Sequence, residues 1–318
     1  HDQTFRSRDL LFYNLDLTHY GNCCFILYNS ENLGVVDCRI YDTGAYGTFT
    51  TGCRGFSWIG NSVQKLHDFE HGLRTQSNKK MYVAYSRIEK DVGISKTSLT
   101  IRGNTSQIVL ARNRIGGSWG FSIANSGVKA FPHHCLADEN VLTSGGSGDI
   151  QNVTIRRNRM KYVPRQEGDK VGAPPTLADF GNHMHKTGVS ENIRIYQNIW
   201  VSPGPLMRGD FNGCEVTHNI FVVNTRGNRF EGLYHVSPKA IGLISDNNLL
   251  FARNENGGEP IDLSAYIKKQ QGKGFEKNSI VAEPQFESLD PDSPDFLKPA
   301  PGGPGDDLGA RVFGKDSL

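Results

Sequence analysis

The stretch Phe69–Gly117, FEHGLRTQSNKKMYVAYSRIEKDVGISKTSLTIRGNTSQIVLARNRIGG, decides the fold. It holds two copies of one pattern, HGLRTQSNKKMYVAYSRI from His71 and LTIRGNTSQIVLARNRI from Leu99. In each copy an apolar–Arg pair leads into a polar turn. A strand of alternating apolar residues follows, then a polar turn residue and one more apolar residue. Arg74 stands 11 residues before Tyr85, and Arg102 stands 11 before Asn113. The two arginines are therefore expected in one register on successive repeats.

The polar residue that closes each alternating strand recurs along the chain. It is found as Asn14, Asp37, Asn61, Tyr85, Asn113, Asn158, Asn198, Asn219 and Asn247. Successive markers lie 21 to 28 residues apart, save two gaps of 45 and 40. Self-similarity at that period is the signature of a solenoid. Asn140, in LADENVL, is the candidate marker for an extra coil in the first long gap. Before each marker the apolar residues alternate, as Val153 and Ile155 or Ile193 and Ile195 do, which reads as a strand with one buried face. Asn suits a turn because it tolerates the left-handed backbone, and amides in the same turn of successive coils can form a ladder. Helical periodicity is confined to a weak candidate near Ile261–Gln270. The predicted fold is all-β: a right-handed, single-stranded parallel β-helix. The LxxLxLxxN pattern of leucine-rich repeats is absent, and a propeller would need longer repeats with hairpin turns.

Residues 1–287 read as one β-helix domain, with a Pro-, Gly- and charge-rich loop insertion near 163–179. Residues 288–318 read as an irregular tail expected to cover the last coil, where a strand edge would otherwise be open. His1 is not a natural start, so a mature form or a fragment is expected. The 318 residues carry a net charge of only +2, so the overall field selects no nucleic acid and any anion selectivity must be local. No apolar run is long enough to span a bilayer. The six cysteines lack zinc spacing and are expected as buried thiols, with one disulfide among Cys23, Cys24, Cys38 and Cys53 left open.

The Asn-marked coils, and the ending DFLKPAPGGPGDDLGA, resemble secreted, pectate-lyase-like β-helix enzymes that act on acidic polysaccharides. More locally, KTSLTIRGNTSQIVLARNRIGG resembles the chondroitinase-B and alginate-lyase family, in which a Gly-Thr-Leu-Thr-Leu-Arg-His-Gly segment precedes an Asn-marked strand. That family uses a Lys as base and an Arg as acid on adjacent coils. The resemblance places Arg102 at the Arg. The family's Lys precedes its Arg by about one coil, whereas Lys96 precedes Arg102 by six residues. The place one coil back is held by Arg74 and Thr75, or by Lys79 and Lys80. The resemblance implies a secreted or periplasmic lyase.

Measured back from the marker, Arg74, Arg102 and Arg208 share an outward row with Ile26, Thr50, Thr187 and Val236. Phe25, Phe49, Leu73, Ile101, Lys186, Met207 and His235 form the neighbouring row, mostly core. Stacked arginines repel one another unless a polyanion lies across them, and Arg forks match carboxylates in two-point geometry. The alternative is surface arginines paired with Asp or Glu of adjacent turns.

A lyase must neutralise the uronate carboxylate, remove the C5 proton and protonate the leaving oxygen. Arg74 and Arg102 are the candidates for the clamp, with Lys96, His71 or a tyrosine as base. Arg208, His183, His185, Lys186 and His235 are candidates for substrate contact. His133 and His134 read as structural. No metal site and no cofactor are expected, with calcium left open. The expected partner is an acidic polysaccharide such as alginate, bound by a monomer, with no nucleic acid and no membrane. A glycoside hydrolase needs two groove carboxylates, and acids there are sparse: Glu70, Asp179, Asp210 and Glu231. A C5-epimerase or a non-catalytic, tailspike-type binding module on the same fold completes the alternatives. For such a module Trp58, Trp119, Tyr46 and Tyr234 are candidate sugar platforms.

Overall fold

A computed structural model describes residues 7–66, 71–89, 97–117, 119–122, 131–143, 146–148, 150–163, 178–180, 190–204, 207–225, 230, 232–236, 240–254 and 258–308. The chain winds as a parallel β-helix with three sheets. Sheet I opens with the strand Ser7–Tyr13, sheet II with Asp16–Thr18 and sheet III with Phe25–Tyr28. Among the described residues they hold 10, 11 and 9 strands, and each strand pairs with its counterpart one coil away.

The core follows from the period-2 alternation. On sheet I, Phe56 and Trp58 pair with Met81 and Val83, which pair with Ile108 and Leu110. The two rows continue without a break through Cys135 and Ala137, Val153 and Ile155, and Ile193 and Ile195. All of these side chains are buried. Each fully buried aliphatic or aromatic side chain contributes on the order of 1.5–3 kcal/mol.

Between sheets I and II every coil turns in two residues. The first of the pair has a positive φ: Asn14, Asp37, Gly60, Tyr85, Arg112, Glu139, Arg157, Gln197, His218 and Asn247. From Cys38 onward the second is buried. From Asn113 the Nδ2 of each asparagine donates to Oδ1 of the next, through Asn140, Asn158, Asn198 and Asn219 to Asn248, at 2.9–3.1 Å. The run ends on a carboxylate, Glu276, whose Oε2 accepts from Asn248 Nδ2 at 3.1 Å. Asn140 is the expected extra coil.

This turn corrects the register expected from the sequence. Asn14, Asp37, Tyr85 and Asn247 hold the left-handed position, whereas the other markers hold the ladder position beside it. Both positions accept asparagine, one for its backbone and one for its amide. Counting from Tyr85 in one coil and from Asn113 in the next shifts the frame by one residue. A further residue enters between Arg102 and Ser106, where three residues turn the chain, against two between Gln76 and Lys79.

Among the described residues one helix forms, and it and the tail go to different places. The helix Ser264–Gly272 carries Ile267, and Leu263 just before it, into the core cluster at the last coil. Of the tail, residues 288–308 are described. They run along the outer face of sheet II, where Phe296 and Leu297 pack on Ile199, Ile220 and Leu249. Arg159 Nη1 donates to Phe296 O at 2.9 Å, and Arg114 pairs with Asp292 at 3.1 Å. The reason is chemical: the outward residues Val201, Val222 and Phe251 are apolar there and need cover. All six cysteines are free, with Cys38, Cys53, Cys135 and Cys214 buried.

Candidate functional site

Sheet III carries two outward rows. By register the first runs Ile26, Phe49, Arg74, Thr100, Gly120, Ser147, Asp179, Arg208 and His235. The second runs Tyr28, Thr51, Gln76, Arg102 and Ser122. Arg74 therefore pairs with Thr100, and Arg102 with Gln76. The two arginines face the same way on adjacent coils but sit on a diagonal. At ~4.8 Å between strands and ~3.3 Å per residue, their Cα atoms are roughly 8 Å apart. Arg208 shares the row of Arg74, five strands along, about 24 Å away by the same spacing.

The corrected register also moves two neighbours. Phe49 is not a core residue; it faces outward beneath Arg74, while Thr48, Thr50 and Thr75 point inward and are fully buried. His235 takes the register position opposite Arg208, in the outward row. An inward column of threonines breaks the equation of apolar with buried, which is why the alternation of TFTT misled.

Around the arginines the side chains interlock. Arg74 Nη1 donates to Tyr46 OH at 2.7 Å, and its Nη2 lies 3.5 Å from Gln76 Oε1. Its guanidinium carbon stands 5.0 Å from the Phe49 ring centroid and 5.6 Å from that of Tyr46, within cation–π range. The rings of Tyr46 and Phe49 stack at 5.4 Å. No carboxylate among the described residues pairs with Arg74, so its charge is met by neutral oxygens and π faces.

His71 is buried, at 2% exposure. Its Nδ1 lies 2.8 Å from Thr97 O, a carbonyl that can only accept, so that nitrogen carries the proton. Nε2 is then the acceptor, and Arg102 Nη2 approaches it at 3.4 Å. The imidazole is held in one tautomer by the backbone and holds Arg102 in turn. Burial and two occupied nitrogens make it a support for Arg102.

Sequence reasoning singled out His71, Arg74, Arg102 and Tyr46, and the structure brings these four together. It did not single out Phe49 as a groove residue, nor Gln76 or Thr97. Lys96, His183, His185 and Lys186 lie outside the described residues, as do Glu70 and Glu231. Of the other aromatic candidates, Trp58 and Trp119 are buried in the core. Tyr234 is partly buried against that core, its hydroxyl donating to Glu276 Oε1 at 2.9 Å. No group of three or more His, Cys, Asp or Glu among the described residues is arranged to hold a metal ion. No described helix is long and apolar enough to cross a membrane.

No family model matches the chain, and no curated protein matches it. Solved structures do resemble it in fold. A mutant tailspike protein of E. coli bacteriophage HK620, in complex with a pentasaccharide, aligns over 87% of this chain and 49% of its own, at 9% identity and TM-score 0.46. The family 28 exopolygalacturonase of Yersinia enterocolitica aligns over 80% and 45%, at 12% identity and TM-score 0.41. The PL6 family alginate lyase AlyGC aligns over 96% and 55%, at 9% identity and TM-score 0.38. The chain thus spans about half the length of these three proteins, and at such identities the likeness is one of fold.

Proposed function

We propose that this protein is a secreted or periplasmic polysaccharide lyase that cleaves an acidic, uronate-containing polysaccharide such as alginate by β-elimination. The observation that carries this reading is Arg74: a groove guanidinium with no carboxylate partner among the described residues, on an aromatic floor, diagonal to Arg102. Two forks at that spacing suit a single carboxylate bridged between them, and neutralising it acidifies the neighbouring C5 proton. A base takes that proton, the electron pair forms the C4–C5 double bond, the C4–O bond breaks, and the leaving oxygen takes up a proton.

Tyr46 is the proton carrier we assign in the described groove. Its oxygen already accepts from Arg74, so its own proton is directed away from the guanidinium. Lys96, outside the described residues, stays the second candidate for the base. His71 positions Arg102, and Arg208 and His235 extend the groove toward further carboxylates of the polymer. The two guanidinium groups supply the charge, and the proposed reaction uses no cofactor.

The test is incubation with a panel of uronate polymers, with and without a calcium chelator, read by the ultraviolet absorbance of the unsaturated product. A rise on one polymer, unaffected by the chelator, is the expected result. Reducing ends without absorbance would make the protein a hydrolase. Inverted C5 centres by product NMR would make it an epimerase, and binding without product a carbohydrate-binding module.

A further inference from the structure

A second cluster lies on sheet I, around the corner from the groove. Lys79, Ser106 and His133 occupy one row on three successive strands. With Asn104, Gln107 and His134 they line a cavity of about 280 Å³. His133 Nε2 lies 3.1 Å from Asn104 Oδ1, and His133 Nδ1 lies 2.6 Å from His134 Nδ1. The bonds fix the protons. Nε2 of His133 donates to the amide oxygen, so its Nδ1 accepts from His134 Nδ1–H.

The surroundings are short of negative charge. On the neighbouring strands the groups facing the pair are Lys79 and Lys80, Ser106 and Gln107, and Gln151 and Asn152. Arg54 stands one strand beyond Lys79, and the acids of the row are Glu31, 3.9 Å from Arg54 and 3.5 Å from Arg8, and Glu191, two strands beyond His133 on the other side of Gln151. Several cations elsewhere on the solenoid are matched: Arg87 and Arg114 on Glu89, Arg112 and Arg157 on Glu139, Arg156 on Asp138, Lys298 on Glu287. No acid among the described residues pairs with Lys79.

We propose that Lys79, His133 and His134 form a second binding site, on sheet I, for an oxyanion: a carboxylate, or a sulfate or phosphate ester. Ser106 and the amides of Asn104 and Gln107 add neutral donors to the ammonium, and the histidine pair adds a charge on protonation. Burial, then His134 and Lys79, hold the His133 imidazole below its usual value. An anion in the cavity offsets the repulsion from the last two. Proton uptake by the pair and anion binding are therefore coupled, and binding tightens as pH falls.

The test follows the imidazole proton resonances, assigned with His133→Gln and His134→Gln, through a pH titration. Potassium sulfate, sodium galacturonate and chloride at matched ionic strength are the three arms. Sulfate or galacturonate should raise the midpoint of the pair relative to chloride, and bind roughly tenfold more tightly at about pH 5 than at about pH 8. Sulfate alone would mark an ester site, and galacturonate alone a carboxylate site. Lys79→Met and Lys79→Gln, with unchanged circular dichroism, should each weaken binding about tenfold. Identical midpoints in all three arms, or a shift that survives both Lys79 variants, would overturn the proposal. The groove on sheet III is untouched by these variants, so polymer cleavage reports on it separately.

Discussion

Between sheets I and II the chain always turns in two residues, whereas between sheets II and III the connection runs from two residues, after Gly116, to sixteen, after Lys161. The first turn is held by a repeating bond. Each asparagine amide must meet the one in the next coil, and a one-residue change in length would break two rungs. The second faces no such constraint. Its loops can lengthen freely, because loop closure costs rise only slowly with length. The side of the coil that cannot vary builds the rod, and the side that can vary carries the candidate groove.

Breaking the ladder should give the largest effect. Asn198 accepts from the amide nitrogen and the Nδ2 of Asn158, and donates to Asn219 Oδ1 and to Ile155 O. Asn198→Ala strands several buried polar groups at once. At about 1–3 kcal/mol for each unsatisfied group, a loss of roughly 4 kcal/mol is expected in urea unfolding. Turnover per folded molecule should stay unchanged. If Asn198→Ala is neutral for stability, the amides do not hold the turn.

The groove should respond the other way. Arg74→Ala and Arg102→Ala touch no core row, so the melting temperature should hardly move. Activity on the polymer should fall by about 2–4 kcal/mol of transition-state stabilisation, or roughly 30- to 10³-fold. Lys at either position should rescue poorly, since a point charge cannot bridge as a fork does. Ile101→Asp is the control on the opposite face of the same strand: it buries an unpaired charge and should unfold the coil. Arg102→Ala melting early while keeping its activity would make that arginine a structural partner of His71.

How much of this was readable from residues alone follows the same division. The coil period, the ladder and Asn140 were legible because a two-residue turn repeats without error. The arginines were legible as outward residues, because period 2 fixes the face of a strand. Their diagonal was not. It depends on one residue added to the turn between Arg102 and Ser106 and on which of two adjacent asparagine-tolerant positions serves as the ruler. Phe49 was unreadable for a different reason: inward Thr48 and Thr50 reverse the usual pattern, and sequence does not reveal a buried hydroxyl. The sheet II tail was legible as a cover but not in its place, since the apolar outer face it needs appears only when Ile199, Ile220 and Leu249 stack.

Alkaline pH offers a smaller test of the rod. Burial pushes the Cys135 and Cys214 thiols up, far above the ordinary range, and Tyr234 is raised well above its usual value by burial and by Glu276. All three stay neutral in the folded chain while their unfolded counterparts ionise. Their stabilising contribution is complete below about pH 8.5 for the thiols and about pH 10 for the tyrosine. It is lost as pH climbs toward the folded values, at about 1.4 kcal/mol per pH unit for each group. Unfolding free energy should therefore decline from about pH 9 upward. Cys214→Ala should remove one group's share of that slope, whatever it does at neutral pH. A slope unchanged by Cys214→Ala would mean that the thiol titrates in the folded state.

The smallest effect should come from the first residue of the two-residue turn, and it separates backbone from amide in the ladder. His218 holds the left-handed conformation, at φ 56°, one residue before Asn219, and its side chain is exposed. Asparagine adopts that region more readily than histidine. His218→Asn should raise stability by about 0.5 kcal/mol, through the folded backbone, without adding a rung to the ladder. Gly60, at φ 68°, holds the equivalent position before Asn61. A Cβ there would meet Asp37 Oδ1 at 2.0 Å, so Gly60→Ala should lower stability by about 1 kcal/mol or more. Urea midpoints for the two variants should move in opposite directions. If His218→Asn instead destabilises, the histidine contributes a contact at the turn beyond its backbone. The ladder would then rest on more than the amides and the left-handed residue that precedes each one.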